Sequence, residues 1–180
     1  MQMTTDVNTI ITPEMRACIG YASEVAVLTE KLAGSDVRRY VNATGDTNPL
    51  WLDDEYARAA GYRGRVIPPL MIIQLYRWME GKRFTGWEKV PVPEGYTDVR
   101  NAGQEVEWLR PLYLGEQPTV QHRVVDIVAR VGRRTGVGIY LTRVSEFRND
   151  AQEVVVSVRA TSVRLPAQKY SEENRPDKEA

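Results

Sequence analysis

Between residues 104 and 163, apolar and polar positions alternate in four runs, 104–109, 119–128, 137–147 and 153–163, each rich in Val, Ile, Thr and aromatics. That is the composition and period of β-strands. In the last run Val154, Val156, Val158 and Ala160 alternate with Val155, Ser157, Arg159 and Thr161, so one face of that strand is wetter than the other. Asn149-Asp150 and the glycine-flanked stretch 132–136 supply turns between runs. The first half of the chain has a different rhythm. Thr12-Pro13-Glu14 reads as a cap followed by proline in the first turn of a short helix. A second helix starts at Ser35-Asp36, repeats Val37, Tyr40 and Val41 at helical spacing, and stops at Gly45. A third is predicted over 53–60, ended by Gly61.

Residues 68–80 differ in kind. Leu70, Met71, Ile72, Ile73, Leu75, Tyr76, Trp78 and Met79 leave almost no polar face, which predicts a helix over 68–80 enclosed on most sides. Residues 84–96, with Pro91, Pro93, Gly86 and Gly95, read as a long loop, either the lid of a pocket or a surface excursion. Beyond Pro166 the chain turns polar and is expected to fray. With no internal repeat and no linker between two cores, one domain over 1–166 and a tail over 167–180 are expected.

Composition narrows the function classes. The 180 residues carry a formal net charge of zero, and the Arg38-Arg39 and Arg133-Arg134 pairs have no interleaved aromatics, so no nucleic acid partner is expected. The single Cys18 excludes an intrachain disulfide and suits a reducing cytoplasm. The longest apolar run, 66–73, is broken by two prolines, and no charged-then-apolar leader opens the chain, so no membrane span or signal segment is expected. One His and one Cys give no zinc spacing, and neither a Walker loop nor a Gly-x-Ser-x-Gly elbow occurs. Gly132, Gly136 and Gly138 fall between strands, the wrong context for a dinucleotide fingerprint, and neither cofactor nor metal is expected.

The candidate chemistry lies in Tyr40-Val41-Asn42-Ala43-Thr44-Gly45-Asp46-Thr47-Asn48-Pro49-Leu50-Trp51. Tyr40, Gly45, Asp46, Asn48, Pro49 and Leu50, followed by Asp53, Tyr56, Ala57, Ala59, Gly61 and Val66-Ile67, resemble the MaoC-like (R)-specific enoyl thioester hydratase/dehydratase family. The stretch 108–116, with Arg110-Pro111-Leu112 and Gly115-Glu116, extends the likeness, which spans roughly residues 20 to 165. The resemblance implies an α+β hotdog fold, a curved antiparallel sheet wrapped around a long buried central helix, with 68–80 as that helix. It also implies acid/base chemistry by an Asp and a His five residues apart. Here the His position holds Trp51, and Pro68-Pro69 stands where many of these hydratases read His-Gly, as in the N-terminal dehydratase-like branch, where one hotdog unit is often helped by a second.

Hydration of an enoyl thioester needs a carboxylate on the water, an acid for the α carbon and donors for the thioester carbonyl. Asp46 suits the first task and Asn48 could orient the water or the Asp. The alternative for Asp46 is an Asx cap that bonds the backbone two residues on. Prolines cannot donate, so the amides of Leu70 and Met71 at the start of the enclosed helix are the expected carbonyl donors. Trp51 either fills the volume of the missing His or walls an acyl pocket. Arg63 and Arg65, flanking Gly64, are candidates for the phosphates of coenzyme A or a carrier-protein arm, or are solvated charges. His122, Tyr76 and Tyr140 are the candidate replacement acids. His122 lies in an alternating strand with Val120 and Val124, a pattern more typical of a structural histidine.

Two functions fit these residues. One is a hydratase/dehydratase-like component acting on an acyl-CoA or acyl carrier protein thioester, as a homodimer or as the impaired subunit of a heterodimer with a related hotdog chain. The other is a non-catalytic acyl-thioester-binding or structural hotdog protein. Association is expected in both, because a lone sheet leaves an open edge.

Overall fold

The computed structural model describes residues 7–75, 79–80, 84–133 and 135–167. Its frame is one antiparallel sheet of five strands, β1 (Ala26–Val27), β2 (Asp98–Trp108), β3 (Thr119–Gly132), β4 (Gly136–Arg148) and β5 (Val154–Leu165), in the order β1-β3-β4-β5-β2. Tight turns join β3 to β4 and β4 to β5, whereas β2, first of the long strands in sequence, closes the far edge by pairing with β5.

All four predicted strands are present, and the first is longer than its apolar pattern. The run over 104–109 belongs to a strand that begins at Asp98. Polar residues such as Arg100, Asn101 and Glu105 hide its first half from a hydrophobic reading, because nearly every residue of this edge strand is exposed and the ladder to β5 holds it. In β3 the pairing shifts between Val124 and Asp126. The extra residue resets the alternation, so Val124 and Ile127, three apart, both enter the same apolar cluster.

One sheet face carries two separate cores. At one end Val120, Phe147, Val156 and Val158 pack beneath the helical layer. That layer is α3 (Gly34–Thr44), α4 (Pro49–Leu52), α5 (Asp54–Ala59) and α6 (Pro69–Ile72), which supply Val37, Val41, Trp51, Met71 and Ile72. At the other end Val124, Ile127, Ile139 and Leu141 lie under Met15, Trp87 and Val90. Met15 comes from α2 (Pro13–Ala17), which follows α1 (Val7–Ile10). The Thr12 cap holds as the sequence implies, its Oγ1 accepting from the Met15 amide at 3.3 Å.

The enclosed helix is much shorter than predicted. Among the described residues of 68–80 only Pro69–Ile72 is α-helical, a turn carries the chain to Leu75, and residues 76–78, including Tyr76 and Trp78, lie outside the described residues. Met79 forms an antiparallel bridge with Leu28, and the Glu80 amide donates to the Val27 carbonyl at 2.8 Å. An extended pairing at 79–80 is incompatible with a helix reaching residue 80. The apolar pattern marked the burial of Met71, Ile72 and Leu75 but not the exposure of Leu70, and it could not show that the segment ends in an extended bridge. The tail from 168 onward also lies outside the described residues.

The segment 84–96 is not a surface excursion. Trp87 is buried, its indole donates to Ser162 Oγ at 2.8 Å, and Arg143 Nη1 donates to the Thr85 carbonyl at 3.3 Å, so the segment roofs the second core. Gly86 makes that approach possible. Its φ of 93° is left-handed, and a Cβ there would lie 2.8 Å from Leu141 Cδ2. Gly45, which ends α3 at φ 71°, has nothing within 4 Å of its would-be Cβ. Gly45→Ala is therefore expected to cost about 1 kcal/mol from backbone strain alone, and Gly86→Ala about 3 kcal/mol from strain plus overpacking, as read from urea unfolding midpoints.

Candidate functional site

The candidate site is built by a helix stop and a helix start in quick succession. Gly45 ends α3, Asp46 follows in the turn, and Asn48 caps α4 by accepting from the Leu50 amide at 3.0 Å. Pro49 fits the first helical position, where no amide is needed. This single turn of helix, too short for a periodic signal, swings Trp51 back toward Asp46. Its Nε1 donates to Asp46 Oδ2 at 3.0 Å, while Asp46 Oδ1 accepts from the Asn48 amide at 3.3 Å. The carboxylate is exposed, yet both oxygens are held, one by the Asx turn and one by the indole.

An indole N–H is a donor only and does not give up its proton in the working range, so Trp51 positions Asp46 without sharing acid/base work. Trp51 is 8% exposed and belongs to the larger core, burial compatible with either reading of this residue. Nearby, burial and then the charge of Asp46 push the Tyr40 phenol upward, so it stays protonated. Tyr40 lines a cavity of about 610 Å³ together with Leu28, Leu32, Met71 and Gln74.

The expected carbonyl donors are less available than the sequence suggested. The Met71 amide already donates to the Pro68 carbonyl at 2.9 Å, and α6 is four residues long, so it contributes little dipole. Leu70 and Met71 also diverge, the first 54% exposed and the second fully buried. Arg63 and Arg65 are committed as well. Arg63 Nη2 lies 2.6 Å from Glu116 Oε1, with its guanidinium 4.2 Å over the Tyr113 ring, and Arg65 Nε lies 3.1 Å from Asp54 Oδ2. With Gly64 and Arg58 they border a recess of about 390 Å³, where three arginines face two carboxylates and leave one net positive charge.

His122 sits apart from Asp46, at the middle of the sheet. Its Nδ1 lies 2.7 Å from Ser145 Oγ, and its ring stacks on Phe84 with centroids 5.7 Å apart. Burial, reinforced by Arg143 and opposed by Glu88, lowers its pKa to about 4, so it is neutral near pH 7. Tyr140 lies on the opposite sheet face, beneath Arg130 at 5.2 Å. Sequence reasoning passed over Arg143 and Ser145, which with His122 line a second cavity of about 150 Å³. The available signal was a break in the inward row of β4, where Ile139 and Leu141 are followed by Arg143 and Ser145 before Phe147 resumes the apolar pattern. Among the described residues no group of three or more His, Cys, Asp or Glu could hold a metal ion, and no helix is long and apolar enough to cross a membrane.

Residues 17–158 match the family model described as FAS1-like, dehydratase domain region. The chain belongs to this family. A probable enoyl-CoA hydratase alpha subunit of Thermomonospora curvata is 33% identical over 144 residues, 74% of this chain but 44% of that relative, so the chain spans less than half of the relative's length. Among solved structures, a chain of the ChsH1-ChsH2 complex from Mycobacterium tuberculosis superposes with a TM-score of 0.71 at 22% identity, covering 91% of this chain and 98% of that one. The MaoC-like dehydratase from Rhodospirillum rubrum superposes at 0.59 with 20% identity, covering 83% and 94%. The fold is thus the α+β hotdog of the MaoC-like proteins, as the motif implied, here with an abbreviated helix.

The neutral His122 carries a stability consequence. Below its ordinary value of 6.5 the unfolded chain takes up a proton that the folded chain refuses until about pH 4, so stability falls as pH drops through that window. Between pH 7.5 and pH 5 the wild-type protein is expected to lose about 2 kcal/mol more than His122→Asn, measured by urea unfolding at both values.

Proposed function

We propose that this chain is the catalytically impaired hotdog subunit of an acyl-thioester hydratase/dehydratase, working beside a related subunit that carries an intact Asp and His. The observation that carries this reading is the 3.0 Å contact from Trp51 Nε1 to Asp46 Oδ2. The two residues have the five-residue spacing of the Asp and His in the pattern the motif resembles, and the group at the second position cannot exchange a proton. In the reaction, a base takes one proton from water as its hydroxyl adds to the β carbon of an enoyl thioester and an acid returns a proton to the α carbon, or the same elements leave together as water. An acid/base group lost from such a step costs on the order of 100- to 10,000-fold in rate. The partner's pair therefore does the proton transfer, while Asp46 and Asn48 keep a supporting role toward water.

Further observations favour this division. The eleven-residue β2 is an exposed edge strand with Val99, Trp108 and Leu109 uncovered at or beside it, the kind of edge that a second hotdog sheet covers. The relative from Thermomonospora curvata is itself an alpha subunit, and the ChsH1-ChsH2 neighbour is a two-component complex. Trp51, Leu70 and Met71 would border the acyl group, and the net-positive recess at Arg63 and Arg65 would take phosphate oxygens of coenzyme A or a carrier-protein arm. The single Cys18 suits a reducing cytoplasm. One observation favours the second reading, a thioester-binding or structural role without chemistry: both Asp46 oxygens are already engaged locally.

The chain alone is expected to hydrate a crotonyl thioester at less than about 1% of the rate of the pair formed with a co-encoded hotdog subunit, followed by loss of the conjugated-thioester absorbance. Asp46→Asn is expected to slow the pair by roughly tenfold. Brisk turnover by the lone chain would overturn the impaired-site reading, and a pair indifferent to Asp46→Asn would leave only the structural role.

A further inference from the structure

At the middle of the inward sheet face, polar side chains separate the two cores. His122, Ser145 and Val158 share one cross-strand row, and Val124, Arg143, Ala160 and Gln104 share the next. Apolar groups there would have merged the clusters into a single core at no desolvation cost. Instead a cavity of about 150 Å³ remains, with Ile73, Phe84, Phe147 and Val158 as apolar walls and His122, Ser145, Arg143 and Gln104 as polar ones. A void of this size elsewhere accepts one benzene ring.

We propose that this cavity receives the far end of the acyl group and selects a ring-sized unit bearing a neutral carbonyl or hydroxyl oxygen, read by the His122–Ser145 pair. The inference rests on the acyl-thioester reading above and names its substrate class. The pair is suited to the task whichever tautomer it adopts. If Nδ1 carries the proton, Ser145 accepts it, leaving the Ser145 hydroxyl to donate and Nε2 to accept. If Nε2 carries it, Ser145 donates to Nδ1, leaving Nε2–H as the donor and a lone pair of Ser145 as the acceptor. Either way one donor and one acceptor remain, and among the described residues no hydrogen bond to Nε2 competes.

Charge argues for a neutral ligand end. Arg143 and Glu80 both line the cavity, so a carboxylate would meet the second and an ammonium the first. Gln74 lines both this cavity and the 610 Å³ one bordered by Tyr40 and Met71, so the two share a wall, and an acyl chain entering beside Met71 would reach His122 past that side chain.

The test uses the full chain and matched coenzyme A thioesters of cyclohexyl-terminated acyl groups, with and without a ring 4-oxo oxygen, scanned over chain length by calorimetry. The oxo series is expected to bind about tenfold more tightly at the best length, the net worth of one hydrogen bond. Ser145→Ala should reduce that advantage to within about twofold, with His122→Asn serving the same purpose should Ser145→Ala not fold. Arg123→Ala, on the opposite face, should retain it. Equal affinity of the two series for the wild-type chain, or an advantage that survives both substitutions, overturns the inference. If no thioester binds, the imidazole resonances of the chain's single histidine are followed while free cyclohexanone is added. Saturable shifts abolished by Ser145→Ala uphold the site while removing the thioester reading, and unmoved resonances overturn the site as well.

Discussion

β4 is hydrogen-bonded on both sides, to β3 along its length and to β5 along most of it. The face it presents through Ile139, Leu141, Arg143, Ser145 and Phe147 carries members of both apolar clusters. Because strand side chains alternate, that single register decides which groups meet, and a slip of one residue would turn both cores and the polar pair outward. The β3 bulge is part of the same constraint. It allows Val120 and His122 to serve one end of the face and Ile127 the other, at the cost of one unpaired position.

The helical layer is held over this face by short elements whose ends do the positioning. Stops and caps at Gly45, Asn48 and Asp53 fold residues 45–54 into a compact corner, and Trp51 locks the corner to the core. Within it, Asp46 is kept in place by a donor that has no acid/base function. The same corner thus fixes the carboxylate from two sides, through the Asn48 amide and through the indole.

Much of this was legible in the residues. The Gly-Asp-x-Asn-Pro-Leu motif marked the hotdog family, the alternating runs marked three strands nearly to their ends, and the Thr12 cap and the stop at Gly61 marked the bounds of two short helices. The edge strand was half hidden, since an exposed strand needs no apolar alternation. The enclosed helix was overextended, because burial on all sides looks alike in one turn of helix and in a bridged strand. Arg63 and Arg65 were readable as charges, but their partners Glu116 and Asp54 lie 53 and 11 residues away.

The sequence by itself determined the family, the strand-rich second half and the placing of Trp51 five residues after Asp46, because these reside in residue identity and local spacing. Only the tertiary structure decided that the indole bonds Asp46, that Met71's amide is spent, and that His122 and Ser145 share a cavity between two cores. Those facts depend on distances between chain segments that neither period nor propensity encodes.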